Sequence, residues 1–329
     1  METQSALVSI LIPLFNSERY IRKALESVAS QTYSNIEVVI VDDFSNDFSV
    51  AIVESFFIEH AHIRHSISHN VKNEGVSFTR NKLVEHAKGD FICFLDSDDY
   101  FEHDAISYLM DIVVSNNTDI GQCLYYSETP EGVQSGTVNQ FTPNKILKGK
   151  DAVFSMLENE ITGFLWHKIF KRDLFRNVHF DTTLPVFEDY LVIMTMFLDG
   201  ADISFGSEPK YHYVQHVSSL TKKSYRKALD RLQYLEMTKS LVKPLILSES
   251  DKLSIIKHEY IVALMVFINA IKFGAPVNEV TEIQKRINVS CLFRLKSQLN
   301  YKKFYSILMI RISPALLYFA LKTVFKIKA

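Results

Sequence analysis

The chain has 329 residues, 47% apolar and 22% charged, a balance that suits a globular protein and excludes a disordered or fibrous one. Its net charge of −2 hides a division: residues 1–221 carry 16 Lys+Arg against 31 Asp+Glu, net −15, and residues 222–329 carry 20 against 7, net +13. The three cysteines, Cys93, Cys123 and Cys291, have no metal-type spacing, and their odd number argues against a disulfide framework, so a reducing compartment is expected.

In chain order, the apolar run Ala6 to Phe15 follows Glu2 and no basic residue, which predicts a strand rather than a signal peptide. "LVSILIPLF" (7–15) reads as a buried strand ended by Pro13, with Asn16 or Ser17 placed to cap a helix. In that helix Ile21, Ala24, Leu25 and Val28 share one apolar face. "IEVVIVDD" (36–43) is a second buried strand, Ser45 to His60 a helix, Ile63 to Ile67 a short strand and Gly75 to Lys88 a helix stopped by Gly89. "FICFLD" (91–96) is again a strand running into carboxylates. Residues 116–150 are polar and turn-rich, helix and strand signals mix from Asp151 to about Leu220, and the pattern is helical beyond Thr221. "EYIVALMVFINAIKF" (259–273) is apolar nearly all round, as a buried helix is. Alternating strands and helices predict an α/β fold with a mostly parallel sheet, whose ligands bind beyond the carboxyl ends of the strands. Asn16, Asp42, Asp43, Asp96 and Asp98 all fall on that rim.

The acids that follow residue 94 set the chemical problem. In "FICFLDSDDYFEHDA" (91–105), Asp96, Asp98, Asp99, Glu102 and Asp104 repel one another unless they are solvated or a cation sits among them. A strand-end Asp-x-Asp can hold Mg2+ or Mn2+ together with a diphosphate, because hard cations take oxygen ligands and bridge carboxylates to phosphates. A calcium loop does not fit: counted from Asp96, the positions that need an acid and a glycine are Tyr100 and Phe101. A capped helix start with solvated acids and an aspartate nucleophile for phosphoryl transfer both remain open on these residues alone.

The order of motifs narrows this. "VSILIPLFNSERYIRKALESVASQTYSNIEVVIVDDFSND", "NEGVSFTRN" (73–81), "KGDFICFLDSDD", "FLWHKIFKRDLF" (164–175) and "FEDY" (187–190) together resemble the family 2 glycosyltransferases, nucleotide-sugar enzymes of the GT-A fold. The resemblance covers roughly residues 7–221, with Glu74 and Thr79 standing where the family usually has glycine and alanine. It implies a Rossmann-like nucleotide-binding half (1–115) and an acceptor-binding half (116–221); the charge and the helical pattern add a basic, helical C-terminal region (222–329). It places Pro13, Phe15, Asn16, Asp42, Arg80, Asp96 and Lys168 at the nucleotide sugar. Asp98, with Asp96 and His216, would hold the metal, Mn2+ or Mg2+. Asp189 would be the general base, with Glu188 orienting it or binding the acceptor, and Trp166 would stack on an acceptor sugar. In "YHYVQHVSSLT" (211–221), Val214 replaces the family's usual Arg, leaving His212 and His216 as candidates for diphosphate or metal.

The implied reaction is inverting transfer from a UDP-sugar to a lipid-linked or polysaccharide acceptor of a bacterial surface glycan (capsule, lipopolysaccharide or exopolysaccharide). Two other readings stand beside it. A nucleotidyltransferase would carry a Gly-rich basic loop near the start, and "LIPLFNSERY" has no glycine; a non-catalytic binding module would have lost one carboxylate site, and both are present. After Glu282 there are ten basic residues and no acid, and from Phe304 aromatic and aliphatic residues interleave with Arg311, Lys322, Lys326 and Lys328. The longest uncharged run there, Ile312 to Leu321, contains Pro314 and falls short of the ~18–20 residues needed to span a bilayer. Such a segment fits the inner, anionic face of the cytoplasmic membrane. Nucleic acid is not expected as a partner, since the body carries −15.

Overall fold

The computed structural model describes residues 6–129, 132, 134–137, 145–184, 186–215, 225–245, 247–281, 283, 285 and 289–324. They form two compact units. The first comprises Met1–Val153, Glu160–Thr182 and Glu188–Val217, and the second Phe154–Asn159, Thr183–Phe187 and Ser218–Ala329.

The first unit is built on one sheet. Its opening half alternates β1 (Val8–Leu14), α1 (Ile21–Ala29), β2 (Ile36–Asp42), α2 (Ser49–Glu59), β3 (Arg64–His69), α3 (Val76–His86) and β4 (Phe91–Phe94). β3, β2, β1 and β4 lie side by side in parallel. β1 and β2 are almost wholly buried, as apolar strands covered on both faces must be. Then come β5 (Tyr100–Phe101), α4 (Ala105–Asn116), β6 (Ile120–Glu128), β7 (Gln134–Thr137), β8 (Ile146–Lys148), α5 (Gly149–Leu157), β9 (Lys168–Lys171), α6 (Glu188–Leu198) and β10 (Asp202–Val214). β9 runs antiparallel between β4 and β6, and β6 pairs in parallel with β10. The sheet therefore continues without a break from residues before 115 into those after 116.

Several local expectations change. Pro13 lies inside β1 rather than ending it, paired with Val41. The Leu11 carbonyl accepts from Leu95 N–H on the β4 side, so Pro13, two residues on, also faces that side. There β4 has ended, and no N–H is needed. Asn16 does not cap α1, which starts at Ile21 without a side-chain cap; Asn16 is left-handed (φ 48°) and its side chain accepts from Asn46 N–H at 2.8 Å. The helix expected from Ser45 starts at Ser49; ahead of it Phe44 is left-handed (φ 68°), and the N–H groups of Ser45, Asn46 and Phe48 are held by Asp42, Asn16 and Glu18. The turn-rich stretch after 116 contains β6, a buried nine-residue strand.

The second unit is helical: α7 (Tyr225–Val242), α8 (Glu249–Lys272), α9 (Val277–Thr281), α10 (Val289–Arg294), α11 (Tyr301–Ile312) and α12 (Pro314–Val324). α8 is long and apolar enough to cross a membrane by length and composition, and it buries Tyr260, Ala263, Val266, Phe267 and Ala270 in this unit's own core with Phe304, Ile307 and Ile310 of α11. A Ser248–Asp251 capping box starts it.

Candidate active site

The acid cluster after β4 divides into two sets. β10 takes three of its members. Asp99 accepts from the Tyr211 hydroxyl (2.7 Å) and from Val214 N–H (2.8 Å), Glu102 meets His212 Nε2 (2.7 Å) and Asp104 meets Lys210 (2.8 Å). These acids fasten the loop to the sheet. His212, a candidate for diphosphate or metal, is instead held at its other nitrogen by Glu128 (2.6 Å), stacked on Tyr100 and buried.

Asp96 and Asp98 remain on the rim, and Arg80 explains the first. α3 carries this guanidinium into a buried position where Nη1 donates to Glu188 Oε1 at 2.5 Å and Nη2 lies 3.7 Å from Asp96. The bridge joins the Asp-x-Asp loop to the Glu-Asp pair that opens α6. Burial works against the charge on Arg80, but Asp96, Glu188 and Asp189 outweigh it and raise its pKa. Asp96 is nonetheless pushed up, because burial and the charge of Glu188 exceed what Arg80 returns. Arg80 Nε is buried with no hydrogen-bond partner.

Asp189 is pushed up to about 7, first by burial and then by Glu188, with Arg80 and Lys168 pulling the other way. A carboxylate with that proton affinity is matched to taking a proton near neutral pH. Gly163 fixes the approach to α6: a Cβ there would come within 2.6 Å of the Tyr190 ring.

Lys168, expected at the diphosphate, is fully buried in β9. Its ammonium donates to the carbonyls of Thr162 (2.9 Å) and Phe164 (2.6 Å), so it ties down the 162–164 turn instead of reaching the rim. Burial lowers its pKa to about 7. His167 accepts from this ammonium at 3.0 Å while donating from Nδ1 to the Cys123 carbonyl at 2.8 Å. Trp166, expected to stack on an acceptor sugar, is 5% exposed and covered by Tyr211, Tyr213 and Phe164. The open member of that stack is Phe164, 42% exposed.

At the other end of the rim, Asp42 is 4% exposed and receives only long contacts, Ser45 N–H at 3.2 Å and His69 Nδ1 at 3.4 Å. Pro13 precedes Leu14, which lies opposite Asp42, and Phe15 is exposed just beyond. Asp43, to which the sequence reading gave no role, accepts from Asn70 Nδ2 and from the N–H groups of Glu74 and Gly75 at 2.8–2.9 Å. It anchors the turn from which α3 carries Arg80 inward. Its neighbour Asp42 drew attention because strand-end position is visible in sequence; the partners of Asp43 lie about thirty residues on and leave no periodic trace.

Among the described residues no three His, Cys, Asp or Glu side chains gather as a metal-binding group, and His216 lies outside the described residues. Asp98 is pushed up to about 6 by burial and by the charge of Asp96. Two hard oxygen donors under mutual repulsion fit a divalent cation that takes its other ligands from phosphate and water.

Residues 9–179 match the family model Glycosyl transferase family 2. EpsH of Bacillus subtilis strain 168, named as a glycosyltransferase, is 30% identical over 239 residues, 70% of this chain and 66% of its own length. The uncharacterized glycosyltransferase EpsJ of the same strain is 29% identical over 68% of this chain and 65% of its own. The chain thus matches just under two thirds of the length of each of these relatives. Among solved structures, S. aureus TarS 1-349 in complex with UDP-GlcNAc superposes with a TM-score of 0.70 at 19% identity, over 97% of this chain and 91% of that one. A mannosyltransferase from Pyrobaculum calidifontis in complex with GDP-Man and Mn2+ gives 0.56 at 15% identity, over 98% and 88%. The sheet is therefore that of the GT-A fold, with a helical unit following it, and the chain belongs to glycosyl transferase family 2.

Proposed function

We propose that the protein transfers a sugar from a UDP-sugar to a hydroxyl of a growing bacterial surface glycan, with inversion at the anomeric carbon, on the inner face of the cytoplasmic membrane. The observation that carries this reading is the Arg80 bridge, which draws Asp96 and Glu188 together and leaves Asp189, with a pKa of about 7, beside the Asp-x-Asp rim. Asp42 keeps acceptor capacity for the imide N–H of a uracil. Asp96 and Asp98 would hold the cation, which supplies charge neutralisation for the departing diphosphate. Asp189 takes the proton of the acceptor hydroxyl as that oxygen bonds to C1, and the C1–O bond breaks with its electron pair going to UDP. Glu188, fixed by Arg80, raises the proton affinity of Asp189 through its charge. The choice of uridine is supported by the complexes of TarS with UDP and with UDP-GlcNAc, and that of a surface polymer by relatives such as the poly(ribitol-phosphate) beta-N-acetylglucosaminyltransferase TarS of Staphylococcus aureus.

The test is hydrolysis of a panel of nucleotide sugars with water as acceptor, with Mn2+ or with EDTA, for the wild type and Asp98→Ala. Turnover of one UDP-sugar that needs both the metal and Asp98 is the expected result. No turnover together with no calorimetric binding of UDP and Mn2+ would overturn the proposal.

A further inference from the structure

Five non-glycine residues among those described have positive φ: Asn16, Phe44, Asn117, Asn159 and Phe187. Three are asparagines, which tolerate the left-handed region through their short polar side chains. The two phenylalanines are the outliers, since a bulky side chain meets the backbone there. The ring of Phe187 is stacked on Tyr234 at 4.5 Å, a packing contact that can hold it. Phe44 (φ 68°) has no such account: its side chain is 47% exposed in the loop that follows Asp42 and Asp43. An exposed aromatic ring held on a strained backbone, next to the ligand rim, points to a use for the ring.

The register shows what lies across from it. Leu14 sits opposite Asp42, the Leu14 carbonyl accepts from Asp43 N–H at 2.8 Å, and Asn16 N–H donates to Ser45 Oγ at 3.0 Å. Phe15 and Phe44 therefore occupy facing chain segments at the ends of β1 and β2, both about half exposed, each within two residues of Asp42 or of its strand partner Leu14. Two exposed aromatic residues on segments that adjoin one buried carboxylate suit a flat heterocycle with an acidic N–H: the rings offer stacking surface, and the carboxylate takes the edge.

Resting on the UDP-sugar reading above, we propose that Phe44 is a base-stacking residue of the donor site, held left-handed so that its ring closes one side of the uracil pocket. The consequence is a separation of stability from binding. Phe44→Asn places at this position the residue found at three of the other four left-handed non-glycine sites among the described residues, and Phe44→Gly removes the steric conflict altogether.

The test combines thermal melting with calorimetric titration of UDP and of pyrophosphate, each with Mn2+, for the wild type, Phe44→Asn, Phe44→Gly and Phe44→Tyr. The expected result is a melting temperature equal to or above wild type for Asn, a UDP affinity lower by roughly ten- to a hundredfold for Asn and Gly, and near-wild-type UDP affinity for Tyr. Pyrophosphate binding stays the same in all four. Equal UDP affinity in the wild type and Phe44→Asn would overturn the inference. So would a parallel loss of pyrophosphate binding, or a marked fall in melting temperature for Asn, since either assigns the ring to the loop and not to the base. A wild type that binds pyrophosphate but no UDP rejects the uracil pocket and the uridine donor together, whereas failure of Phe44 alone leaves the donor assignment standing.

Discussion

Asp189 carries the sharpest residue-scale prediction, because its proton affinity links chemistry to pH. Its carboxyl, pushed up to about 7 by burial and by Glu188, is largely protonated below that value and cannot act as a base there. Turnover should rise about tenfold per pH unit on the acid side and level off once Asp189 is ionised. Asp189→Asn should lower turnover by about two to four orders of magnitude on the plateau above that value and abolish the acid-side slope. The same shift has a stability signature, and its sign follows from proton linkage. The native state holds a proton on Asp189 that the unfolded chain releases at the ordinary carboxylate value of 3.8. Stability from this group is therefore fully present below that value and is lost as pH rises to about 7. In EDTA, the melting temperature of Asp189→Asn should gain on that of the wild type as pH rises from about 4 to 8. An identical pH dependence in the two proteins would remove Asp189 from the role of a buried, proton-holding base. Arg80 acts on the same residue from the other side: by lowering the Asp189 pKa it keeps the base ionisable near neutrality, in addition to fastening Glu188.

At the scale of elements, β9 and the turn before it show how a side chain read as ligand-binding can be structural. Lys168 lies on a strand that runs between β4 and β6, so its stem enters the sheet interior and its ammonium meets turn carbonyls. Lys168→Met, close in length, would leave the carbonyls of Thr162 and Phe164 without that donor at a cost of about 1–3 kcal/mol each where they are buried. Trp166→Ala should cost about 3–5 kcal/mol, as removal of a buried aromatic does. Phe164→Ala, at the open end of the stack, should change stability by less than about 1 kcal/mol. Urea unfolding of the three variants checks the order, and a Phe164→Ala variant as damaged as Trp166→Ala would contradict it. These cases also show what could be read from the amino-acid sequence. The β1–β4 alternation and the strand-end acids were legible, because apolar runs and their polar ends are local signals. The antiparallel insertion of β9, the buried course of β6 and the capture of Asp99, Glu102 and Asp104 by Tyr211, Val214, His212 and Lys210 were not, since each depends on partners far apart in the chain. The left-handed backbone at Phe44 leaves no mark in residue spacing at all.

At the scale of the whole chain, the charge division has a structural counterpart within the second unit. α10 to α12 and the residues between them bury Leu292, Leu295, Phe304, Ile307 and Ile310 yet leave Phe293, Tyr301, Tyr305, Ile312, Leu316 and Phe319 exposed. Arg294, Lys296, Lys302, Lys303 and Arg311 are exposed among them. Water disfavours such a density of large apolar side chains on an ordinary surface, while the boundary of an anionic bilayer accepts both kinds of group. Each cation near such a surface is worth about 1 kcal/mol, and the attraction weakens as salt rises. The 329-residue chain should therefore co-sediment with vesicles containing phosphatidylglycerol and much less with vesicles of phosphatidylcholine alone. Leu316→Glu combined with Phe319→Glu should reduce that binding at low salt without changing UDP affinity, because both residues lie in the helical unit and the proposed donor residues lie in the first. Binding that ignores both lipid charge and the double substitution would assign the exposed face to another partner. Loss of UDP affinity in the same variant would show instead that the substitution disturbs the fold.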